Sequence, residues 1–229
     1  MASILVYGPS GFGKSRGIKN LDPKTTFVIS SDEKELPWRG WASDYWSYTT
    51  PEGKFDMMRS NYYEGNDPRK IVKLQKDIIE KRPDIKTVVY DTLTHMMVYR
   101  FMTDPNVDWE FYKVLAKEIY SIVDTAKKDK SRMHVFVGHN DVGYDALGRK
   151  VEKVRTIGKL LDDKIDLPSL FTVVLCPEVE RKEKDAEYSF LTQSNGSNAA
   201  KSPEGMFDFK IPNDYKLVVD NYYKYQTGE

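Results

Sequence analysis

The sequence predicts an α/β fold, a mostly parallel central sheet flanked by helices, in a single domain over residues 1–229. Two observations carry this reading. Short apolar runs of strand length alternate along the chain with longer segments whose apolar residues recur at helical spacing, the pattern of parallel strands joined by helical crossovers. The first such run, Ile4-Leu5-Val6-Tyr7, also feeds directly into Gly8-Pro9-Ser10-Gly11-Phe12-Gly13-Lys14-Ser15, a complete G-x-x-x-x-G-K-[ST] phosphate-binding loop. Glycines at these positions let the backbone turn tightly enough for successive N–H groups to face a triphosphate, and a following helix adds partial positive charge. Lys14 is expected to reach the β- and γ-phosphates and the Ser15 hydroxyl to ligate Mg²⁺. The expected nucleotide contacts run from Gly8 through Ser15 to the next residue, Arg16.

The other elements follow in order. A short helix is expected over Lys14–Asn20, stopped near Asp22-Pro23 because the residue before a proline avoids helical geometry. Thr25–Ile29 reads as the second strand. Residues 32–66 read as irregular, punctuated by Pro37, Gly40, Pro51, Gly53 and Gly65. Asp67-Pro68 is a helix start, an N-cap followed by proline at the first position, with Ile71, Leu74 and Ile78 on one face of the helix it opens. Thr87–Tyr90 is a third strand ending at Asp91. A helix from about Asp108 to Lys128 turns Phe111, Leu115, Ile119, Ile122 and Val123 inward. His134–Val137 is a fourth strand, ending at Gly138-His139-Asn140. A polar loop, a helix near 157–165 and strands over Phe171–Leu175 and Tyr188–Thr192 complete the reading.

Composition narrows the partners. Basic and acidic residues balance, 35 against 35, so any nucleic-acid surface must be local. A single cysteine, Cys176, excludes an internal disulfide and fits a reducing cytoplasm. The opening apolar stretch is too short for a signal peptide, and no run approaches the roughly 20 apolar residues of a membrane span. A cytoplasmic protein without a membrane partner is expected.

Three further groups carry chemistry. Asp91, a carboxylate at the end of an apolar strand, is what a Mg²⁺–triphosphate site needs beside the loop. Asp32 and Glu33 follow another strand, where a carboxylate can orient and deprotonate an attacking water. His139 ends the fourth strand, where a polar side chain can sense the γ-phosphate.

In this order the elements resemble the RecA-like P-loop ATPases, and most closely the small phage-encoded RecA-like proteins of single-strand annealing, the AAA-type phage nucleotide-binding proteins. The stretch Val28-Ile29-Ser30-Ser31-Asp32 is similar to the family segment that ends in its catalytic glutamate, which favours Asp32, with Glu33 in reserve. The shorter aspartate is a departure from that pattern. Val88-Val89-Tyr90-Asp91-Thr92 resembles the magnesium strand, and His139 falls where the family carries a glutamine sensor. The resemblance implies ATP and Mg²⁺ as ligands, ATP hydrolysis stimulated by single-stranded DNA, a homo-oligomeric ring or filament, and a role in recombination or annealing in the host cytoplasm. It places two DNA-binding loops near 102–110 and 141–156, and a cation reaching a neighbouring subunit's ATP at Lys201. The second loop is basic in its own right: Arg149, Lys150, Lys153 and Arg155 are the expected phosphate contacts, and Tyr144 can stack on a base. Trp38, Trp41, Tyr45, Trp46 and Tyr48 are read as a long loop packed onto the domain, with base or subunit stacking as the alternative. Two rival functions remain at this stage, a nucleoside monophosphate kinase and a non-hydrolysing, ATP-gated annealing or scaffold module.

Overall fold

A computed structural model describes residues 3–158, 166–183 and 185–228. Its centre is an eight-stranded sheet in the order β10-β9-β8-β1-β5-β4-β2-β3. The strands are β1 (Ser3–Tyr7), β2 (Thr26–Ser30), β3 (Tyr62–Glu64), β4 (Thr87–Asp91), β5 (Met133–Gly138), β8 (Val173–Arg181), β9 (Ala186–Leu191) and β10 (Lys210–Pro212). From β8 through β3 neighbouring strands run parallel; β9 and β10 add an antiparallel edge. The predicted α/β architecture with a mostly parallel sheet is therefore present. Strands β1, β2, β4 and β5 are buried along their whole length, as continuous Val/Ile-rich runs covered on both faces should be.

One face is covered by α2 (Pro68–Lys81), α3 (Leu93–Thr103) and α4 (Trp109–Lys128), whose Ile71, Met96, Leu115 and Ile119 join the core there. The other face is covered by a 3-10 turn at Ser15–Asn20, the residues around α1 (Trp41–Asp44) and α5 (Tyr215–Thr227). Both helix starts read from the sequence are made as expected. The Asp67 side chain accepts from Arg69 N, and the Asp108 side chain accepts from Phe111 N.

The structure corrects several expectations. The element after the phosphate loop is a single 3-10 segment of six residues. Residues 32–66 contain β3 on the sheet edge, so they are not wholly irregular. The polar loop after β5 is a hairpin of β6 (Asn140–Tyr144) and β7 (Lys150–Val154). Most of the helix expected near 157–165 lies outside the described residues. The aromatic segment packs as the loop reading requires: Tyr45 is buried edge-on to Trp38, and Trp41 leans on Tyr62. Trp46 is half exposed, and its indole donates to Arg59 O at 2.7 Å. Among the described residues no helix is long and apolar enough to cross a membrane.

Parallel pairing settles where the chemistry gathers. Tyr7 is level with Gly138, Ser30 with Asp91, and Asp91 with Val137. The C-terminal ends of β1, β2, β4 and β5 therefore share one rim, where ligands bind in open α/β sheets.

Candidate nucleotide site

At that rim lies a cleft of about 370 Å³ lined by Ser10, Gly11, Gly13, Lys14, Ser15 and Arg16 from the loop and by Asp32, Asp91, Thr92 and His139 from the strand ends. Gly11 and Gly13 both adopt φ near +81°, a left-handed backbone that a side chain disfavours, so the motif glycines shape the turn as read. Gly8 is buried, and its N–H donates to Gly138 O, tying the loop to the end of β5. Pro9 and Phe12 complete the loop without lining the cleft.

Lys14 is buried. Its ammonium donates to Gly8 O at 2.8 Å and Pro9 O at 2.7 Å, both carbonyls of its own loop. Burial lowers its pKa to about 8, against the pull of Asp91 and Asp32. Asp91 is also buried, and its Oδ1 has no hydrogen-bond partner among the described residues. Burial pushes its carboxyl up to about 6, with Ser15 and Lys14 opposing and Asp32 adding to the rise. A buried carboxylate oxygen without a partner is costly. Ser15 and Asp91 are hard oxygen donors of the kind that could hold Mg²⁺.

Asp32 lines the cleft, held by Ser30 Oγ donating to its Oδ1 at 3.2 Å and by Lys34 at 3.6 Å. Glu33, the reserve candidate, is exposed with φ at +53° and does not line the cleft. The strand ends are joined to one another. Ser31 N donates to Asp91 O at 2.7 Å, and Thr92 N donates to Ser31 Oγ at 2.8 Å. His139 N donates to Thr94 Oγ1 at 3.0 Å. The His139 ring meets His95 edge to face at 5.5 Å, and burial lowers its pKa to about 4, so it stands neutral at pH 7. His95, which sequence reasoning missed, is anchored through Nδ1 to Thr92 Oγ1 at 2.9 Å. Tyr188, also missed, borders the cleft with the Arg16 guanidinium 5.1 Å from its ring centre.

The remaining predicted residues lie elsewhere. Lys201 is half buried outside the cleft, and its backbone bridges Val174 in both directions. Arg149, Lys150, Lys153 and Arg155 belong to the β6–β7 hairpin, and three of them already have carboxylate partners. Arg149 pairs with Asp145, Lys150 with Glu152 and Arg155 with Asp141. The basic stripe is thus partly offset, by Asp141 and Asp145, which lie before it in sequence, and by Glu152 within it. Residues 102–110 form the end of α3, a short turn and the start of α4.

No family model matches the chain, and no curated protein sequence matches it. Among solved structures it is similar to the flagellar accessory protein FlaH from Methanocaldococcus jannaschii, at 11% identity with a TM-score of 0.44, over 91% of this chain and 83% of that one.

Proposed function

We propose that this chain is a RecA-like ATPase that binds Mg²⁺ and ATP in the rim cleft. The observation that carries the reading is the meeting, in one cleft, of a desolvated Lys14 with a buried Asp91 whose Oδ1 has no partner among the described residues. Lys14, released from the Gly8 and Pro9 carbonyls, takes the β- and γ-phosphates. Ser15 and Asp91 would hold Mg²⁺, which would supply positive charge against the phosphates. Asp32 orients the attacking water and accepts its proton. Neutral His139, at the end of β5, donates to the γ-phosphate and reports its loss through the backbone it shares with β6. A kinase reading has less support, because among the described residues Arg16 is the one arginine lining the cleft, and it is turned onto Tyr188.

The proposed partner is single-stranded DNA, bound at the β6–β7 hairpin during phage-type recombination or annealing by a homo-oligomer. Tyr144 and Leu147 there are 75% and 77% exposed, and His139 O accepts from Arg155 N at 2.7 Å, so the hairpin is continuous with the sensor. Phosphate release measured with and without Mg²⁺, and with and without single-stranded DNA, tests both parts. Mg²⁺-dependent release that DNA stimulates is expected. Binding of ATP without release would favour the non-hydrolysing module, and transfer of phosphate to a nucleoside monophosphate would favour the kinase.

A further inference from the structure

The turn into α5, Asn213-Asp214-Tyr215, lies against the back of the phosphate loop. Asn213 Nδ2 donates to Gly13 O at 3.1 Å, and Tyr215 OH donates to Lys14 O at 2.7 Å, across 200 and 201 residues of sequence. Between them Asp214 accepts from the Asn20 side chain at 2.7 Å, at the end of the 3-10 turn that follows the loop. Three successive residues thus reach three places on the loop and its turn.

We propose that Asn213 and Tyr215 are positioning residues for the triphosphate, a reading that rests on the nucleotide site proposed above. A trans peptide is planar, and its C=O and N–H point in opposite directions. Holding the Gly13 carbonyl behind the loop therefore turns the Lys14 N–H to the other side. Holding the Lys14 carbonyl does the same for the Ser15 N–H. Gly13, Lys14 and Ser15 all line the cleft, so an N–H turned away from the clamp is turned toward the phosphate site proposed there. A carbonyl that accepts a hydrogen bond also polarises its own peptide, which makes the N–H across the bond a better donor.

Two glycines show how close the contact is. A Cβ on Gly13 would lie 2.9 Å from Asn213 Nδ2 and 2.5 Å from the Tyr188 ring. Gly17 lies outside the phosphate motif, and a Cβ there would meet the Tyr215 ring at 2.8 Å. Its missing side chain is explained by the approach of α5. Tyr215 itself is fixed by a parallel stack on Phe190 at 5.7 Å, and Asn213 N donates to Tyr188 O at 3.2 Å. The clamp is thus rigid from behind, while the Lys14 side chain in front is free to exchange loop carbonyls for phosphate.

The test uses the full chain with Tyr215→Phe, Asn213→Ala and the double variant, titrated calorimetrically with Mg–ATP and with inorganic tripolyphosphate. Melting temperatures without ligand are recorded alongside. Tyr215→Phe keeps the ring and its stack, so the variant folds while losing only the hydrogen bond. Each single change is expected to weaken both ligands about fivefold, the scale of one neutral hydrogen bond, and the double variant about 25-fold. The loss should be equal for ATP and tripolyphosphate, because the clamp acts on phosphate contacts alone. A fall in melting temperature with unchanged affinity would make the residues merely structural and overturn the proposal, as would a loss seen for ATP but not for tripolyphosphate. A wild-type protein that binds neither ligand would overturn the nucleotide site as well.

Discussion

The two ends of the parallel sheet each bury an aspartate, and the surroundings treat them in opposite ways. Asp129, in the turn before β5, accepts from Ser131 N and Oγ through Oδ1. Its Oδ2 meets Arg132 Nη1 at 3.2 Å and His134 Nε2 at 3.1 Å. Burial alone would raise its pKa; the bonds from His134 and Ser131 outweigh burial and hold the carboxyl well below the usual range. His134 continues the network to Tyr90 OH at 3.1 Å. Asp91 at the opposite rim is just as buried, yet among the described residues its Oδ1 is left without a partner, and its carboxyl rises to about 6. A buried charge balanced within the chain holds the fold together. A buried carboxylate oxygen left without a partner at a strand end is a cost to the fold.

Lys14→Ala removes the main point charge at the rim, and should cost about 100-fold or more in Mg–ATP affinity measured by titration calorimetry, the scale of losing two charge-assisted hydrogen bonds. Asp32→Asn should leave that affinity roughly intact and cut phosphate release by about 100-fold, the scale of losing a general base. Glu33→Gln should change neither, since Glu33 is exposed and does not line the cleft. Equal effects of the two would erase the distinction between cleft and solvent on which the site rests. At the opposite end, Asp129→Asn should lower the melting temperature by roughly 10 °C, as breaking a buried pair costs about 3–5 kcal/mol, without a specific effect on nucleotide. The smallest effect belongs to the hairpin. Arg149 and Lys150 must leave Asp145 and Glu152 before they meet phosphate. Replacing both with alanine should flatten the slope of log DNA affinity against log salt by about 1.4 at most. An unchanged slope and affinity would show that these cations serve the hairpin alone.

The rim was legible because its signals are local. The phosphate motif, the strand-end aspartates and His139 each follow an apolar run whose length sets their height in the sheet. α2 and α4 were legible for a similar reason, since each pairs an N-cap aspartate with a clear apolar stripe. α3 was not, because Leu93, Met96, Met97, Val98 and Phe101 spread apolar residues around most of its circumference and leave no stripe to read. The β6–β7 hairpin buries few of its residues, so it lacks the alternation that marks a strand, and its glycines read as a loop. The ion pairs across it were hidden by the same misreading. Asn213, Tyr215 and His95 act through contacts remote in sequence or set by a helix that was not predicted. Gly17 was the one trace of the first two, a glycine in a helical position with no role in the motif.

The contrast between the two aspartates gives opposite signs for stability. Asp91 has a folded pKa near 6, above its unfolded value of about 3.9. Its contribution to stability is present below about pH 4 and is lost as pH rises to about 6, so at neutral pH the bare carboxylate is a cost. Asp129 contributes in the reverse sense: its stabilisation is present above the ordinary carboxylate range and is lost as pH falls through it. Melting of Asp91→Asn beside the wild type at pH 7.5, each with no ligand, with ATP alone and with Mg–ATP, tests the central claim directly. Without ligand the variant should melt higher, by about 2–4 °C for each kcal/mol relieved, and its stability should no longer fall between about pH 4 and pH 6. The extra stabilisation that Mg²⁺ adds to ATP should disappear. A variant that melts lower than wild type and keeps its full response to Mg–ATP would mean that Asp91 is an ordinary structural carboxylate, and that the rim does not hold the metal.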